Sequence, residues 1–331
     1  MEGRRATMHS TFILGNLEAA AGKTTSGYCE VDLGADVISI PVAVIHGAEP
    51  GPVLAVTAGI HGGEYVSILA ARRFLHTLDP ATVRGTVILS LQSSPVAFRD
   101  RAAFVNPIDG ENLNRCFPGD AAGIPTQRLA NWLWENIISR ADFYVDCHCG
   151  DLPESLEAFT GLVLSGNSSV DEKSLAMANC WNVERSIVTG TSGSTIWAAA
   201  QAGIPAVLVE LGERGGWTAG EVERQLAGLT AVAGHVGVID SHRPASPATH
   251  PLFEVAAGLS AEIDGLWFPK VKPGETVTPG ATLGTIEDAF GTTVAIITSP
   301  TDGVYVYGLT SLAVHAGDFL ACIVRPAGGA R

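Results

Sequence analysis

The segment GIHGGEYVSIL, Gly59 to Leu69, places an imidazole at His61 and a carboxylate at Glu64 with two glycines between them. A turn alone explains the glycines; a shared metal ion explains all four residues. Two further apolar runs end in ionisable groups. DFYVDCHCG carries His148, and AVLVELGERG carries Glu210, with Glu213 three residues on. Ligands often gather at the carboxyl ends of parallel strands. If these runs are neighbouring strands, His61, Glu64, His148 and Glu210 converge at one edge. Two histidines and one carboxylate with an open fourth position form a common catalytic zinc set. The spacing differs from HExxH, in which both histidines lie on one helix. Taken singly, HGGE also reads as a glycine turn with a surface glutamate, and His148 as a satisfied polar group. Three consistent strand ends carry more weight than either.

Zinc lowers the pKa of a bound water toward neutrality and polarises a carbonyl, and a base must then take the proton. Glu210 follows PAVLV, where partial burial would raise its pKa into a useful range. Glu213, in a glycine-rich turn, reads instead as a surface ion pair. The loop NPIDGENLNRCFPG, Asn106 to Gly119, offers Arg115, whose guanidinium can fork onto a carboxylate, and Asn114 as a neutral donor beside it. Side-chain turns account equally well for Asn106, Asp109 and Asn112. Cys147 and Cys149 flank His148, but strand alternation turns both thiols to the opposite face, so thiolate ligation is not expected.

These residues need a frame. PVLAVTAGI, Pro52 to Ile60, is a short continuous apolar run, as in a strand buried on both faces. YVSILAARRFLHTL follows with helical spacing, Ile68, Ala71, Leu75 and Leu78 sharing a face. GTVILSLQSS is the next strand. A long Asn-, Pro- and Gly-rich stretch then runs from Pro95 to Pro125, a length that suggests a functional loop. TQRLANWLWENIISR reads as a helix with Thr126 as its N-cap. Strands alternating with helices predict an α/β fold: a mixed, mostly parallel sheet with helices on both faces.

From SHRPASPATHP onward the character changes, which divides the chain into residues 1–245, with the site, and 246–331. Short β segments between Gly and Pro turns predict an all-β barrel or sandwich there. GLWFPKVKPGETVTPGATLGTI resembles GVYVYGLTSLAVHAGDFLACIV, so two β units related by approximate twofold symmetry are expected. The pattern is similar to lipoyl and biotinyl carrier domains. The matching hairpin tip, EDAFGTTVA, has no lysine to carry a prosthetic group.

The 331 residues are 46% hydrophobic and 16% charged, enough for a large core. No apolar run reaches the roughly 18 residues that span a bilayer, and the opening MEGRRATMHSTFILGNLEAA lacks the apolar core of a signal peptide. A cytoplasmic protein without a membrane partner is the expectation, and six scattered cysteines with no CxxC pair suit a reducing compartment. A net charge of −14 argues against a nucleic-acid partner. An anionic substrate must therefore be caught by particular arginines. Homo-oligomerisation stays open.

HGGE, NLNRCFPG, DCHCGD and VELG, in that order and at these intervals, resemble the succinylglutamate desuccinylase/aspartoacylase family, relatives of the zinc carboxypeptidases. The match covers most of the chain, and the carboxy-terminal β module is similar to the family's second domain. The resemblance implies a deacylase that uses one zinc ion per chain to cleave the amide of a small anionic N-acyl amino acid or diamino acid. Carried over by position, His61, Glu64 and His148 are the metal ligands. Glu210 is the base that activates water and passes the proton to the leaving amine. Asn114 and Arg115 hold a substrate carboxylate. The family often places a further arginine shortly before the Asn-Pro segment to polarise the scissile carbonyl. FRDRAAFVNP offers Arg99 and Arg101, both displaced by a few residues, and Arg101 is assigned that role. DCHCG also departs from the usual Asp-Leu-His-Thr-Gly type of segment. The alternatives are a zinc carboxypeptidase acting on short peptides, and a non-catalytic zinc- or ligand-binding protein that would have no use for a free base at Glu210.

Overall fold

A computed structural model describes residues 11–240 and 249–328. Most of the SHRPASPATHP break, with the 245/246 boundary, lies outside the described residues, as do the first ten residues of the segment read for a signal peptide.

The central strands are as apolar as their burial demands. Leu54, Ala55, Val56 and Ala58 are each 0% exposed, as expected for a strand covered on both faces. Four strands run parallel at the centre in the order Arg84–Ser90, Glu49–Ala58, Phe143–His148, Ala206–Glu210. Both flanks turn antiparallel. Val37–His46 and Lys23–Asp32 extend one side, and Phe159–Leu162 continues the other from Ala206–Glu210. The sheet is therefore mixed, with a parallel centre, and it is covered on both faces as the alternating pattern predicted. Tyr65–Thr77 and Ala219–His235 pack against one face with Val66, Phe74, Val222 and Leu229. Pro125–Asn136 and Thr195–Gln201 cover the other with Leu129, Leu133, Ile196 and Ala199.

The helix predicted to start after Thr126 begins instead at Pro125, where proline's missing N–H costs nothing. Thr126 sits inside the first turn and is fully buried. Its N–H and hydroxyl both donate to the Asp109 carboxylate, at 2.8 and 2.6 Å. Asp109, from the preceding loop, thus satisfies the helix start in place of a local cap. The long Pro95–Pro125 stretch carries a short helix at Pro95–Asp100 and a single turn at Leu113–Arg115.

The carboxy-terminal part is all β, and its strands join the large sheet. Leu252–Ser260 pairs in parallel with Ser186–Val188 and antiparallel with Phe319–Pro326. Gly303–Leu309 lies against Phe319–Pro326 and also against the short strand Glu154–Leu156. A separate four-stranded antiparallel sheet has its own core around Trp267, Leu283, Ile286 and Leu320. The expected repeat is visible in the elements. Each unit is a long strand, a two-residue strand and another long strand. The two-residue strands are exchanged, Thr276–Val277 pairing with Gly303–Leu309 and Ala313–Val314 with Gly265–Pro269.

Candidate active site

Register brings the three strand ends together. His148 lies directly opposite Glu210 on neighbouring parallel strands, and Cys147 opposite Ala58, three residues before His61. Beyond Ala58 the chain must turn sharply so that Glu64 can start the helix Tyr65–Thr77, where it is the N-cap residue. The two glycines serve close approach at this turn. A Cβ on Gly62 would stand 2.2 Å from the backbone carbon of Ala97, and one on Gly63 would stand 1.9 Å from an Asp151 carboxylate oxygen. Asp151 is itself pinned by the N–H groups of Phe104 and Leu152, at 2.7 and 2.6 Å.

The result is a compact His–Glu–His group, with one ligand atom from each of His61, Glu64 and His148 lying within 4.8 Å of one another. Nδ1 of His61 is 2.6 Å from one Glu64 oxygen, and Nδ1 of His148 is 2.9 Å from the other. The outer nitrogens explain why the Nδ1 atoms face inward. Nε2 of His148 is 2.8 Å from Asp146 Oδ2, and Nε2 of His61 is 3.1 Å from Asn112 Oδ1. Both partners can only accept, so each Nε2 donates and each Nδ1 is left with a lone pair once the ring is neutral. Asp146 is fixed in turn by the hydroxyls of Thr57, at 2.6 Å, and Thr195. A metal-ligating imidazole with its outer N–H on a carboxylate or amide oxygen is the usual supporting arrangement.

Electrostatics point the same way. Burial works against ionisation of Glu64, yet the two imidazoles beside it prevail and draw its carboxyl down to about 2. Burial disfavours a proton on His148, but Asp146 and Glu64 outweigh it and hold the imidazole's pKa well above the ordinary value. His61 is shifted up in the same way, Glu64 overcoming burial. Nδ1 of His148 is buried and makes no hydrogen bond, despite the nearby Glu64 oxygen. The negative charge here calls for a cation among these three atoms. Two imidazole nitrogens and a carboxylate oxygen fit zinc.

Glu210 stands beside this group. One of its carboxylate oxygens is buried without a hydrogen-bond partner. Burial, aided by the charges of Glu64 and Glu154, pushes its pKa well up. His61, Glu64, His148 and Glu210 line one cavity of about 180 Å³, together with Asn112, Asn114, Arg115 and Glu154. Asn114 is buried. Its Oδ1 accepts from the Thr195 N–H at 2.8 Å, so only its Nδ2 remains for a ligand. Arg115 donates to the Asn114 carbonyl at 2.7 Å, which holds the guanidinium at the cavity wall.

Arg101 is a correction. The structure does not bring it to the site: it is exposed, at the left-handed end of Pro95–Asp100 with φ 53°, and does not line the cavity. The left-handed residue ends the helix, and it is Phe104, three residues on, that reaches the cavity, its ring centroid 6.5 Å from that of His61. Arg99 is also exposed and pairs with Asp100 at 2.8 Å. Glu213 lies outside the cavity, accepting from Ser155 and 3.9 Å from Arg214, in keeping with its reading as a surface ion pair. Cys147 and Cys149 are buried in the core.

Sequence reasoning missed several groups. Asp146, two residues before His148, shares its side of the strand, so that relation was legible. Asn112 was read only as a turn former; its Oδ1 does accept from the Asn114 N–H at 2.8 Å, and it also holds His61. Glu154 lines the cavity, as do Val255, Tyr307 and Cys322 from the carboxy-terminal strands. These approach only through long-range pairing and left no local signal.

The sequence model of the succinylglutamate desuccinylase/aspartoacylase catalytic domain matches residues 50–236. The chain belongs to this family. It is thereby an enzyme, in a family of deacylating hydrolases. An N-alpha-acetyl-L-2,4-diaminobutyric acid deacetylase from Halomonas elongata is 26% identical over 297 residues, covering 87% of this chain and 86% of that protein. The crystal structure of a succinylglutamate desuccinylase/aspartoacylase from Rhodobacter sphaeroides superposes with a TM-score of 0.80 at 26% identity, over 92% of this chain and 96% of that one. The product-bound ectoine utilization protein EutE (DoeB) from Ruegeria pomeroyi shares the fold, with a TM-score of 0.83 at 22% identity over 96% and 99% of the two chains.

Proposed function

We propose that this protein is a zinc-dependent deacylase that hydrolyses the amide bond of a small N-acylated amino acid or diamino acid. The observation that carries the reading is the meeting of two inward-facing Nδ1 atoms and the Glu64 carboxylate beside Glu210, whose buried oxygen has no other partner. Similarity to the Halomonas elongata deacetylase supports this substrate class.

His61, Glu64 and His148 would hold one zinc ion, which when bound lowers the pKa of a water and polarises the acyl carbonyl. Glu210 removes the proton from the attacking water. Its raised pKa makes it a competent base that can also keep the proton. It then delivers that proton to the nitrogen of the leaving amine. Arg115 meets the substrate carboxylate and Asn114 Nδ2 donates beside it, fixing the amide relative to Glu210. Arg101 has no part in this scheme. We assign the chemistry to residues 1–245, and to residues 246–331 the wall that closes the cavity with Val255, Tyr307 and Cys322. That wall favours a small substrate over a peptide chain. The exchanged two-residue strands and the lysine-free tip support a lipoyl/biotinyl-type module without a prosthetic group. Six cysteines with no disulfide among them suit a cytoplasmic setting, and among the described residues no helix is long and apolar enough to cross a membrane.

Glu210→Gln tests the mechanism. It is expected to keep its zinc and to lose about 10²–10⁴-fold in kcat on N-acyl amino acids; turnover at the wild-type rate would refute the assignment. Zinc content by elemental analysis is expected to fall in His61→Ala and His148→Ala.

A further inference from the structure

One charged group in the cavity has no part in that chemistry. Glu154 lines both the site cavity and the adjoining cavity that opens past Phe104, Arg115, Leu309 and Phe319. Among the described residues its carboxylate makes no ion pair, and the polar support it has is a hydrogen bond from the Asp151 backbone. Its backbone is held firmly. The N–H donates to Asp151 at 2.9 Å, the carbonyl accepts from Arg214 at 2.7 Å, and the residue pairs with Leu309 across the strands. A half-buried carboxylate fixed in this way and left without a counter-charge is costly. Burial first, and the Glu64 charge second, push its pKa up to about 7. Metal and base chemistry absorb Glu64 and Glu210. Among the described residues Arg115 is the only Lys or Arg lining the site cavity, and the proposed reading commits it to the substrate carboxylate. The wall therefore keeps a carboxyl that, among the described residues, no Lys or Arg is left to hold in its ionised form, the form an ammonium ion favours.

We propose that Glu154 is a specificity residue that binds a free ammonium group on the substrate, so that the preferred substrate is an N-acylated diamino acid with its second amine unacylated. The inference rests on the deacylase reading. Arg115 and Glu154 both line this cavity and the adjoining one, and offer opposite charges to the two ends of a zwitterion. A substrate with an apolar side chain would leave Glu154 half-buried without a counter-charge, a penalty that a site lacking this carboxylate would not impose. The substrate is then not simply anionic, as the sequence suggested, but carries both signs.

The test uses the zinc-loaded full-length protein. kcat and KM are measured on Nα-acetyl-2,4-diaminobutyrate and Nα-acetylornithine, and on their apolar isosteres N-acetylnorvaline and N-acetylnorleucine. The wild type is expected to favour each amine over its isostere at least tenfold in kcat/KM, mostly through KM. In Glu154→Gln that preference should fall below threefold, with zinc content unchanged. Glu154→Asp retains the charge but recesses it by one methylene, and should shift preference toward the longer ornithine side chain. A merely structural role would not move chain-length preference. An undiminished preference in Glu154→Gln, a wild type that favours the isosteres, or an equal loss of kcat on all four substrates overturns the proposal. Wild-type turnover of none of the four would instead sink the deacylase reading beneath it.

Discussion

Asp146 shows how much of the proposed metal site lies outside its candidate ligands. It accepts from His148 Nε2 at 2.8 Å and from two buried hydroxyls, and it is itself 0% exposed. Asp146→Asn keeps the shape but replaces a charged acceptor with a neutral amide. Zinc affinity, measured by competition with a chromogenic chelator, should fall by about 10–100-fold. Unchanged affinity would mean that the imidazole is oriented by packing alone. Asp146→Ala also strips the Thr57 and Thr195 hydroxyls of their acceptor, so it should cost folding stability as well, about 1–3 kcal/mol for each stranded group. At this scale the sequence is legible where chemistry and spacing are local. His61 and Glu64 sit three apart, and Asp146 and His148 alternate along one strand. It is opaque where partners meet through the fold. Asn112 reaches His61 across 51 positions, and no local pattern marks Glu154 as facing the same cavity. Arg101 departs for the opposite reason: it is close to the loop in sequence, but the chain enters the cavity only at Phe104, three residues on.

Among the elements, the strands themselves were readable because each is a compact apolar run. Their order in the sheet and their register were not, since apolar runs do not name their neighbours. The HGGE turn depends on that register, because its glycines touch segments that arrive from far along the chain. Gly62→Ala would drive a Cβ against the backbone of Ala97 and Phe98, at 2.2 and 2.3 Å. Backbone cannot swing aside as a side chain can, so the turn must move and His61 with it. The expected result is loss of stability by about 1–3 kcal/mol in urea unfolding, together with weakened zinc binding. Gly63→Ala meets the Asp151 carboxylate first. It should be milder in stability but should release the Phe104 N–H that Asp151 holds. Gly190 has open space where its Cβ would go, so Gly190→Ala should stay within about 0.5 kcal/mol. A Gly62→Ala protein as stable and as tight for zinc as that control would refute the close-approach argument.

Across the whole molecule, the all-β carboxy-terminal part is welded to the catalytic half rather than tethered to it. Ser186–Val188 pairs with Leu252–Ser260, and Glu154–Leu156 pairs with Gly303–Leu309. A shared apolar cluster joins Phe159 and Ile187 to Val306, Cys322 and Val324. Composition and periodicity reveal the change of character near residue 246 but not this continuity, because strand pairing between the halves is long-range. Two halves coupled by strand pairing and a common core should unfold as one cooperative unit. Calorimetry is therefore expected to show a single transition, its calorimetric and van't Hoff enthalpies in agreement. Chelation sharpens the test. The proposed ligands all lie between His61 and His148, yet any zinc bound only by the folded state stabilises everything that unfolds with it. Removing the metal should shift the entire heat-capacity peak to lower temperature. If the four-stranded sheet around Trp267 formed an independent unit, a second peak would stay in place when the first moved. That result would return the carboxy-terminal strands to the status of a separate domain and weaken their role in shaping the cavity.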